Sequence, residues 1–257
     1  MSGNPDNIIL RTEGLTKEFS GFTAVDNVDL AIERGHIHAL IGPNGAGKTT
    51  VFNLLTKFLI PTRGKITFNG KDITATKSAE LARMGIVRSF QISATFAHLT
   101  ARDNVRVALQ RELATSFHFW RSERSLDVLN DRAMELLKAV GLEHHADAFA
   151  YELPYGQRRA LEIATTLALE PELMLLDEPT QGMGHEDVAR IVELIREVSQ
   201  GRTILMVEHN LSVVSKLCHR ITVLQRGAVL TEGPYEEVSN DARVKEAYMG
   251  VRADEGV

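Results

Sequence analysis

Residues 42–50 read Gly-Pro-Asn-Gly-Ala-Gly-Lys-Thr-Thr, which matches a glycine, four residues and then Gly-Lys-Thr. An apolar run, 36–41, precedes the stretch, and a helix-like run, 50–58, follows it. Glycines let the backbone curl so that its N–H groups point at phosphate oxygens, and the helix N-terminus adds a favourable dipole. Lys48 can then reach the β- and γ-phosphates, and the Thr49 hydroxyl can ligate Mg²⁺. The alternative is a Gly-rich turn with a chance lysine, and the flanking strand and helix argue against it. The predicted nucleotide contacts are Asn44, Gly45, Ala46, Gly47, Lys48, Thr49 and Thr50.

Composition narrows the class of protein. The chain has 257 residues, of which 44% are hydrophobic and 25% charged, as in an ordinary soluble globular protein. The net charge is −5, and without a long lysine or arginine block we expect no nucleic-acid partner. The single cysteine, Cys218, cannot form an internal disulfide and fits a reducing compartment. Residues 1–7 lack the apolar core of a signal peptide, and no apolar run approaches the ~20 residues of a membrane-spanning helix. If the protein acts at a membrane, we therefore expect it to do so by docking to another component there.

Strands and helices alternate along the chain, which predicts a parallel sheet covered on both faces. The first third is β-rich and includes a hairpin that turns at Asn69-Gly70. The middle, about 100–169, is mostly helical: Val105, Leu109 and Leu113 share one face. The predicted strands are 8–10, 25–32, 36–41, 64–68, 173–176, 203–207 and 221–225, and the later helices are 188–198 and 210–217.

Two adjacent acids, Asp177 and Glu178, end the apolar run 173–176. The strand carries them to the sheet edge where the phosphate loop also lies, so Asp177 can hold Mg²⁺ directly or through water. Glu178 is then placed to orient or deprotonate an attacking water. An acidic pair at a strand end is commonly a solvated turn, but the phosphate loop earlier in the chain favours the functional interpretation.

The next strand, 203–207, is followed by Glu208 and His209. A histidine at such a position is more often structural than catalytic. His209 nevertheless follows the neighbouring strand of the sheet, where it can face a γ-phosphate. We interpret the other histidines as structural or solvated.

Together these pieces resemble the ATP-binding cassette (ABC) family over nearly the whole chain. The phosphate loop matches its Walker A motif, and residues 173–178 match its Walker B motif. Gln91 falls at the Q-loop glutamine and His209 at the switch histidine. The signature Leu-Ser-Gly-Gly-Gln appears as Leu-Pro-Tyr-Gly-Gln at 153–157, opening a helix over 158–169. The signature and the Q-loop exclude kinases and GTPases.

The resemblance implies that two copies sandwich two ATP molecules, each held by one copy's Walker motifs and the other's signature. It implies catalytic roles for Glu178, His209 and Gln91, and Mg²⁺ ligation by Thr49, Gln91 and Asp177. Phe19 lies where the family stacks an aromatic ring on adenine, with Phe22 as the nearby competitor. The implied contacts in trans are Tyr155, Gly156 and Gln157.

The chain departs from the family pattern at two places. Pro154 replaces the signature serine and offers neither a hydroxyl nor an N–H. Tyr155 replaces the first signature glycine, so the trans contact is expected to rest on the Gly156 N–H and the helix N-terminus. Gly184 stands where the D-loop, here 181–185, usually carries an aspartate. We expect weak basal hydrolysis that depends on the membrane partner.

Within the family the chain is most similar to ATPases of bacterial importers for branched-chain amino acids and related polar amides. Residues 85–91, 161–164 and 244–250 carry this similarity. It implies permease subunits, a second cassette, identical or not, a periplasmic solute-binding protein, and a cytoplasmic location, peripheral on the inner face of the membrane. A groove beside Gln91 with Phe96 and Leu99 is expected to receive a permease helix. The alternatives are an exporter of the lipopolysaccharide type, a non-transport ABC protein, and a nucleotide-binding module with little hydrolysis.

The resemblance implies an α/β fold: a P-loop cassette with a mixed-sheet core, an N-terminal antiparallel β subdomain and an inserted helical subdomain. The predicted parts are a RecA-like core with the β subdomain at 8–90 and 170–235, a helical subdomain at 91–169, and a tail at 236–257.

Overall fold

The structure is a computed structural model that describes residues 7–89, 95–110 and 128–254, with the side chains of 249–254 left out. The predicted positions of Gln91 and Leu113 lie outside the described residues. The strands are β1 (Ile8–Phe19), β2 (Phe22–Glu33), β3 (Ile37–Ile41), β4 (Arg63–Phe68), β5 (Lys71–Asp72), β6 (Ile86–Ser89), β7 (Leu173–Asp177), β8 (Thr203–Val207), β9 (Arg220–Gln225) and β10 (Ala228–Gly233). The helices are α1 (Lys48–Leu55), α2 (Ser78–Arg83), α3 (Ala101–Leu109), α4 (Asn130–Ala139), α5 (Tyr155–Leu167), α6 (His185–Val198), α7 (Leu211–Leu217), α8 (Tyr235–Asn240) and α9 (Ala242–Asp254), with a 3₁₀ turn at Glu143–His145.

The described strands form two sheets. A six-stranded sheet has the order β10-β9-β3-β8-β7-β6, in which β6, β7, β8, β3 and β9 run parallel and β10 is antiparallel to β9. A four-stranded antiparallel sheet has the order β2-β1-β4-β5. The expected α/β fold with a mixed-sheet core and an antiparallel β sheet is confirmed.

Both faces of the larger sheet are buried, as its unbroken apolar strands predict. Along β7, Leu173 and Leu175 pack into one hydrophobic cluster, which also contains residues of α1 and the antiparallel sheet. Met174 and Leu176 point the opposite way, into a second cluster with α3 to α7. The alternation follows from the period of two in a strand. Because β7, β8 and β3 run parallel, the carboxyl end of β7 lies at the same sheet edge as the phosphate loop that follows β3.

The predicted helical middle is present in its described parts. Val105 and Leu109 of α3 are buried, and so are Leu137 of α4 and Val140 beyond its end. The Thr100 side chain caps α3 by accepting the Asp103 N–H. That residues 91–169 form a separate helical subdomain stays a prediction.

Several element bounds differ from the sequence prediction. Helix α1 begins at Lys48 and ends at Leu55, because the phosphate loop leads straight into its first turn and Lys57 has a left-handed φ of 62°. Strand β1 extends well past Leu10, since its ladder with β2 continues through several register shifts that obscure the apolar period. Helix α5 begins at Tyr155 rather than at residue 158, because Pro154 occupies its N-cap.

Candidate functional site

The phosphate loop, residues 42–47, joins β3 to α1 and depends on two glycines for steric reasons. Gly42 and Gly47 have φ of 151° and 100°. A Cβ on Gly42 would collide with the Leu224 carbonyl oxygen, and one on Gly47 would lie 2.6 Å from the Ala24 carbonyl oxygen. Gly45 is exposed and also left-handed, with φ 76°. The loop therefore forms a cradle of backbone with no side chain to fill it, which fits a phosphate group.

Lys48 lies over this cradle. Its Nζ donates to the carbonyl oxygens of Gly42 at 2.7 Å and Pro43 at 3.0 Å. Burial lowers the pKa of Lys48 below its ordinary value, and the carboxylate of Glu178 opposes that shift. Thr49 is exposed in the first turn of α1. An ammonium group and an exposed hydroxyl thus stand at one helix N-terminus, as phosphate and metal binding require.

The acidic pair and the histidine meet at the carboxyl ends of β7 and β8. The Glu178 N–H donates to the Val207 carbonyl at 2.9 Å, and Glu178 itself has a left-handed φ of 47°. His209 Nδ1 lies 3.7 Å from Glu178 Oε1. A left-handed non-glycine residue is costly, and such residues cluster at functional sites. The expected neighbours Glu178 and His209 are therefore brought together, with Glu178 half-buried.

Asp177 is held by an arginine whose role no sequence motif predicts. Arg88 of β6 donates from Nη2 to Asp177 Oδ2 at 2.5 Å and from Nη1 to Asn53 Oδ1 of α1 at 2.8 Å. Its guanidinium carbon also lies 5.9 and 5.7 Å from the ring centroids of Phe52 and Phe58. Arg88 thus fixes the position of a carboxylate whose oxygens are of the kind that Mg²⁺ prefers.

Glu208 organises the loop that bears His209. This fully buried carboxylate accepts the backbone N–H groups of His209 at 2.9 Å and Asn210 at 3.0 Å through Oε1. Its Oε2 accepts the Thr180 hydroxyl at 2.7 Å. The burial of Glu208 is tolerated because its oxygens are hydrogen-bonded.

The signature stretch opens α5 beside the D-loop of the same chain. The Tyr155 hydroxyl donates to the Gln181 carbonyl at 2.9 Å, while Gly156 and Gln157 lie in the first turn. In the second turn, Arg159 donates to the Asp177 carbonyl at 2.9 Å and to Glu162 Oε2 at 2.5 Å. Burial raises the pKa of Glu162 to about 7 against the opposing charge of Arg159. The signature helix is thus bonded to the strand end that carries Asp177.

Phe19 ends β1 and is 41% exposed, with Lys17 Nζ 5.1 Å from its ring centroid. Phe22 pairs with it across the two-residue turn at Ser20 and Gly21 and is 67% exposed. Both rings are accessible to a base, so the choice between them stays a prediction.

The C-terminal helix reaches the phosphate loop. Val244 and Ala247 of α9 are buried, and Tyr248 packs against the core cluster. Burial raises the pKa of Tyr248 to about 12, and the nearby Gly42 N–H opposes that shift. The predicted tail is therefore partly helix, with a tyrosine facing the first residue of the loop.

Comparison with known proteins identifies this arrangement. A family model described as "ABC transporter" matches residues 25–181. This chain belongs to the ABC transporter family. A second model, described as "Branched-chain amino acid ATP-binding cassette transporter", matches residues 228–254, which include β10, α8 and α9.

Curated ABC relatives align over nearly the full chain. The high-affinity branched-chain amino acid transport ATP-binding protein LivG of Salmonella typhimurium is 39% identical over 249 residues, covering 94% of this chain and 98% of that protein. BraF of Pseudomonas aeruginosa, of the same description, is 38% identical, again covering 94% and 98%.

Solved structures of ABC cassettes have the same fold. The ADP conformation of MJ1267, an ATP-binding cassette of an ABC transporter, superposes with a TM-score of 0.81 at 31% identity, covering 95% of this chain and 99% of that one. The dimeric post-hydrolysis state of the MJ0796 cassette, bound to ADP and Pi, gives a TM-score of 0.72 at 27% identity, covering 88% and 98%. As an ABC cassette, the chain is a nucleotide-binding ATPase.

Proposed function

We propose that this chain is the ATP-binding and ATP-hydrolysing subunit of a membrane importer for branched-chain amino acids or related polar solutes. The observation that carries the proposal is the meeting of Glu178 and His209, 3.7 Å apart, at the sheet edge that bears the phosphate loop. The relatives named above are branched-chain amino acid transport proteins, so the exporter alternative is not favoured.

The chain's own groups fit ATP and Mg²⁺. The backbone N–H groups of residues 44–50 and the Lys48 ammonium would bind the phosphates, and Phe19 would stack on adenine. Thr49 and Asp177 supply the oxygen ligands that Mg²⁺ prefers, with Gln91 proposed as a third ligand. When bound, Mg²⁺ would neutralise phosphate charge.

Hydrolysis would use the acid and the histidine at the ends of β7 and β8. Glu178 Oε1 would orient a water and accept its proton. His209, 53% exposed, would donate a hydrogen bond to the γ-phosphate. Tyr155, Gly156 and Gln157 would face the ATP of a second cassette, where the Gly156 N–H and the α5 N-terminus complement negative charge.

We further propose that the chain works peripherally on the cytoplasmic face of the membrane, with permease subunits, a second cassette and a periplasmic solute-binding protein. None of the described helices is long and apolar enough to span a bilayer. Phe96 is 56% exposed, and Phe149 and Tyr151 stack at 5.6 Å near it, with the Tyr151 N–H donating to the Ala97 carbonyl. Phe96 follows position 91 by five residues in the sequence, and this aromatic surface suits a short amphipathic permease helix.

A second candidate function is a cassette that binds nucleotide with little turnover. Pro154 favours it, because the residue at the N-cap of α5 lacks a hydroxyl and an N–H. Such a chain would pair with a different, competent cassette.

The Glu178→Gln substitution distinguishes these candidates. It removes the proton acceptor but keeps the side-chain shape, so we expect phosphate release to fall by roughly 100-fold or more. An ATP-dependent dimer should then accumulate, measurable by size-exclusion chromatography with light scattering. Glu193→Gln, at an exposed site on α6, is the matched control and should behave as wild type.

Reconstitution with the permeases tests the expected dependence on the membrane partner. Basal phosphate release should be slow and should rise when the permeases and loaded binding protein are present. Wild-type protein that binds ATP but releases no phosphate with or without them would favour the low-turnover candidate.

A further inference from the structure

The Tyr155 side chain is directed at its own chain. Its hydroxyl donates to the Gln181 carbonyl at 2.9 Å. A Cβ on Gly182 would lie 3.7 Å from the Tyr155 hydroxyl oxygen. The side chain is 38% exposed, so it occupies the surface between the signature loop and the D-loop. The residue that replaces a signature glycine thus ties these two loops together.

A second contact supports the same junction. A Cβ on Gly156 would lie 2.9 Å from Asp187 Oδ1, in the first turn of α6. A side chain at residue 156 would displace the Asp187 carboxylate, so glycine lets the start of α5 approach α6 without moving it. The signature loop therefore packs against both ends of the segment 181–187.

The D-loop is bonded in turn to the loop that carries His209. Thr180 precedes Gln181, and its hydroxyl donates to the buried Glu208 at 2.7 Å. Glu208 accepts the N–H groups of His209 and Asn210. His209 lies 3.7 Å from Glu178. A continuous set of hydrogen bonds and one peptide link thus connects the switch histidine to Tyr155.

Gly184 provides no side chain through which the D-loop could contact other loops. It has no side chain, and among the described residues nothing lies within 4 Å of a Cβ built on it. The D-loop aspartate of the family pattern is absent there, whereas the Gln181 carbonyl three residues earlier has a partner in Tyr155.

We propose that Tyr155 is a positioning residue that transmits the state of this chain's own nucleotide site to the signature loop it offers the partner cassette. The path runs from His209 through Glu208, Thr180 and Gln181. The inference rests on the proposed function, since it requires a dimer with shared ATP sites. A contiguous network of this kind becomes evidence of coupling only when its members are shown to depend on one another.

Tyr155→Phe in the full-length chain tests the inference, because it removes only the hydroxyl. Loss of one neutral hydrogen bond predicts a phosphate-release rate lowered roughly 3- to 10-fold and a reduced Hill coefficient for ATP. In the Glu178→Gln background the ATP-dependent dimer should dissociate more readily. ADP affinity of the monomer, measured by calorimetry, should stay at its wild-type value, and the melting temperature should fall by only about 2–4 °C, as expected for the loss of one hydrogen bond. Tyr235→Phe, in the first turn of α8 and outside both this network and the proposed permease surface, is the matched control.

A double-mutant cycle tests the path to His209. Thr180→Val removes the donor to Glu208, and Thr180→Ser restores it as the conservative variant. We expect the Tyr155→Phe/Thr180→Val protein to lose no more activity than the less active single variant. Each substitution interrupts the same path, so the second has nothing further to remove. Fully additive losses would overturn the inference.

Other outcomes separate this inference from the proposed function. If wild-type protein hydrolyses ATP and Tyr155→Phe matches Tyr235→Phe, the inference fails alone. Weaker ADP binding by the Tyr155→Phe monomer would also overturn it, since the hydroxyl would then act within its own site. Wild-type protein that neither binds nor hydrolyses ATP would overturn the proposed function and this inference together.

Discussion

At the scale of single residues, Arg88 determines the electrostatics of the site. Its guanidinium holds Asp177 at 2.5 Å and Asn53 at 2.8 Å, and both partners of the ion pair are largely buried, with side-chain exposures of 13% and 14%. Removing one partner of such a pair leaves an uncompensated charge. At the proposed Mg²⁺ site the same guanidinium would compete with the metal for the Asp177 carboxylate, so we expect Arg88 to oppose metal binding while it stabilises the protein without metal.

Arg88→Met keeps the apolar stem of the side chain and removes the charged guanidinium. We expect the metal-free protein to lose about 2 kcal/mol of unfolding free energy, the range of a hydrogen bond to a charged group. The stabilisation that Mg²⁺ adds in the presence of ADP should be larger than in wild type, because the competing cation is gone. Urea unfolding with and without Mg²⁺ measures both, with the exposed Arg83→Met as control. An unchanged response to Mg²⁺ would contradict the competition.

At the scale of elements, β3 carries a buried histidine whose protonation is coupled to folding. The Thr222 hydroxyl donates to Glu232 at 2.7 Å, so at 2.8 Å it accepts from the Nε2–H of a neutral His38. The pKa of His38 is lowered from 6.5 to about 4, chiefly by burial; the Glu232 carboxylate opposes this shift, and the charges of Arg220 and His36 add to it.

Because the folded pKa of His38 is depressed, the unfolded chain binds the extra proton between pH 6.5 and about 4. The contribution of neutral His38 to the unfolding free energy is complete above pH 6.5. It is lost as the pH falls towards 4, by up to about 3 kcal/mol. His38→Gln keeps a donor for Thr222 and should flatten this part of the stability curve. Chemical unfolding across this range measures the slope, and the exposed His185→Gln should retain it.

Sequence patterns located the parts of the site that local chemistry specifies. The phosphate loop, Asp177, Glu178 and the strands that carry them are readable because glycine spacing and apolar runs act over a few residues. The Arg88–Asp177 pair joins positions 89 apart in the chain and depends on β6 lying beside β7. The direction of the Tyr155 side chain depends on how closely α5 packs on α6. Such contacts arise from tertiary packing, which no local period encodes.

At the scale of the whole molecule, the two sheets meet beside the phosphate loop. The turn Arg226–Gly227 donates from the Gly227 N–H to the Ala46 carbonyl at 3.0 Å and accepts the Asp26 N–H at 2.8 Å. Cβ atoms on Gly47 and Gly227 would lie 2.6 and 2.9 Å from the same Ala24 carbonyl oxygen of β2. The antiparallel sheet therefore packs directly on the nucleotide loop, and a shift of one sheet must displace the other.

A pair of glycine substitutions tests this junction. Gly227 and Gly201 both have left-handed φ, 83° and 73°, so alanine costs each about 1 kcal/mol in backbone strain. Only at Gly227 does the new methyl group meet backbone, since among the described residues a Cβ on Gly201 has no neighbour within 4 Å. We expect Gly227→Ala to cost a further ~1–3 kcal/mol and to weaken ADP binding, because the methyl group pushes the turn away from Ala24 and so stretches the hydrogen bond from the residue 227 N–H to the Ala46 carbonyl. Gly201→Ala should lose only the strain energy and bind ADP as wild type does. Equal losses of stability in the two variants, with ADP affinity unchanged in both, would show that the sheets meet without constraining the loop.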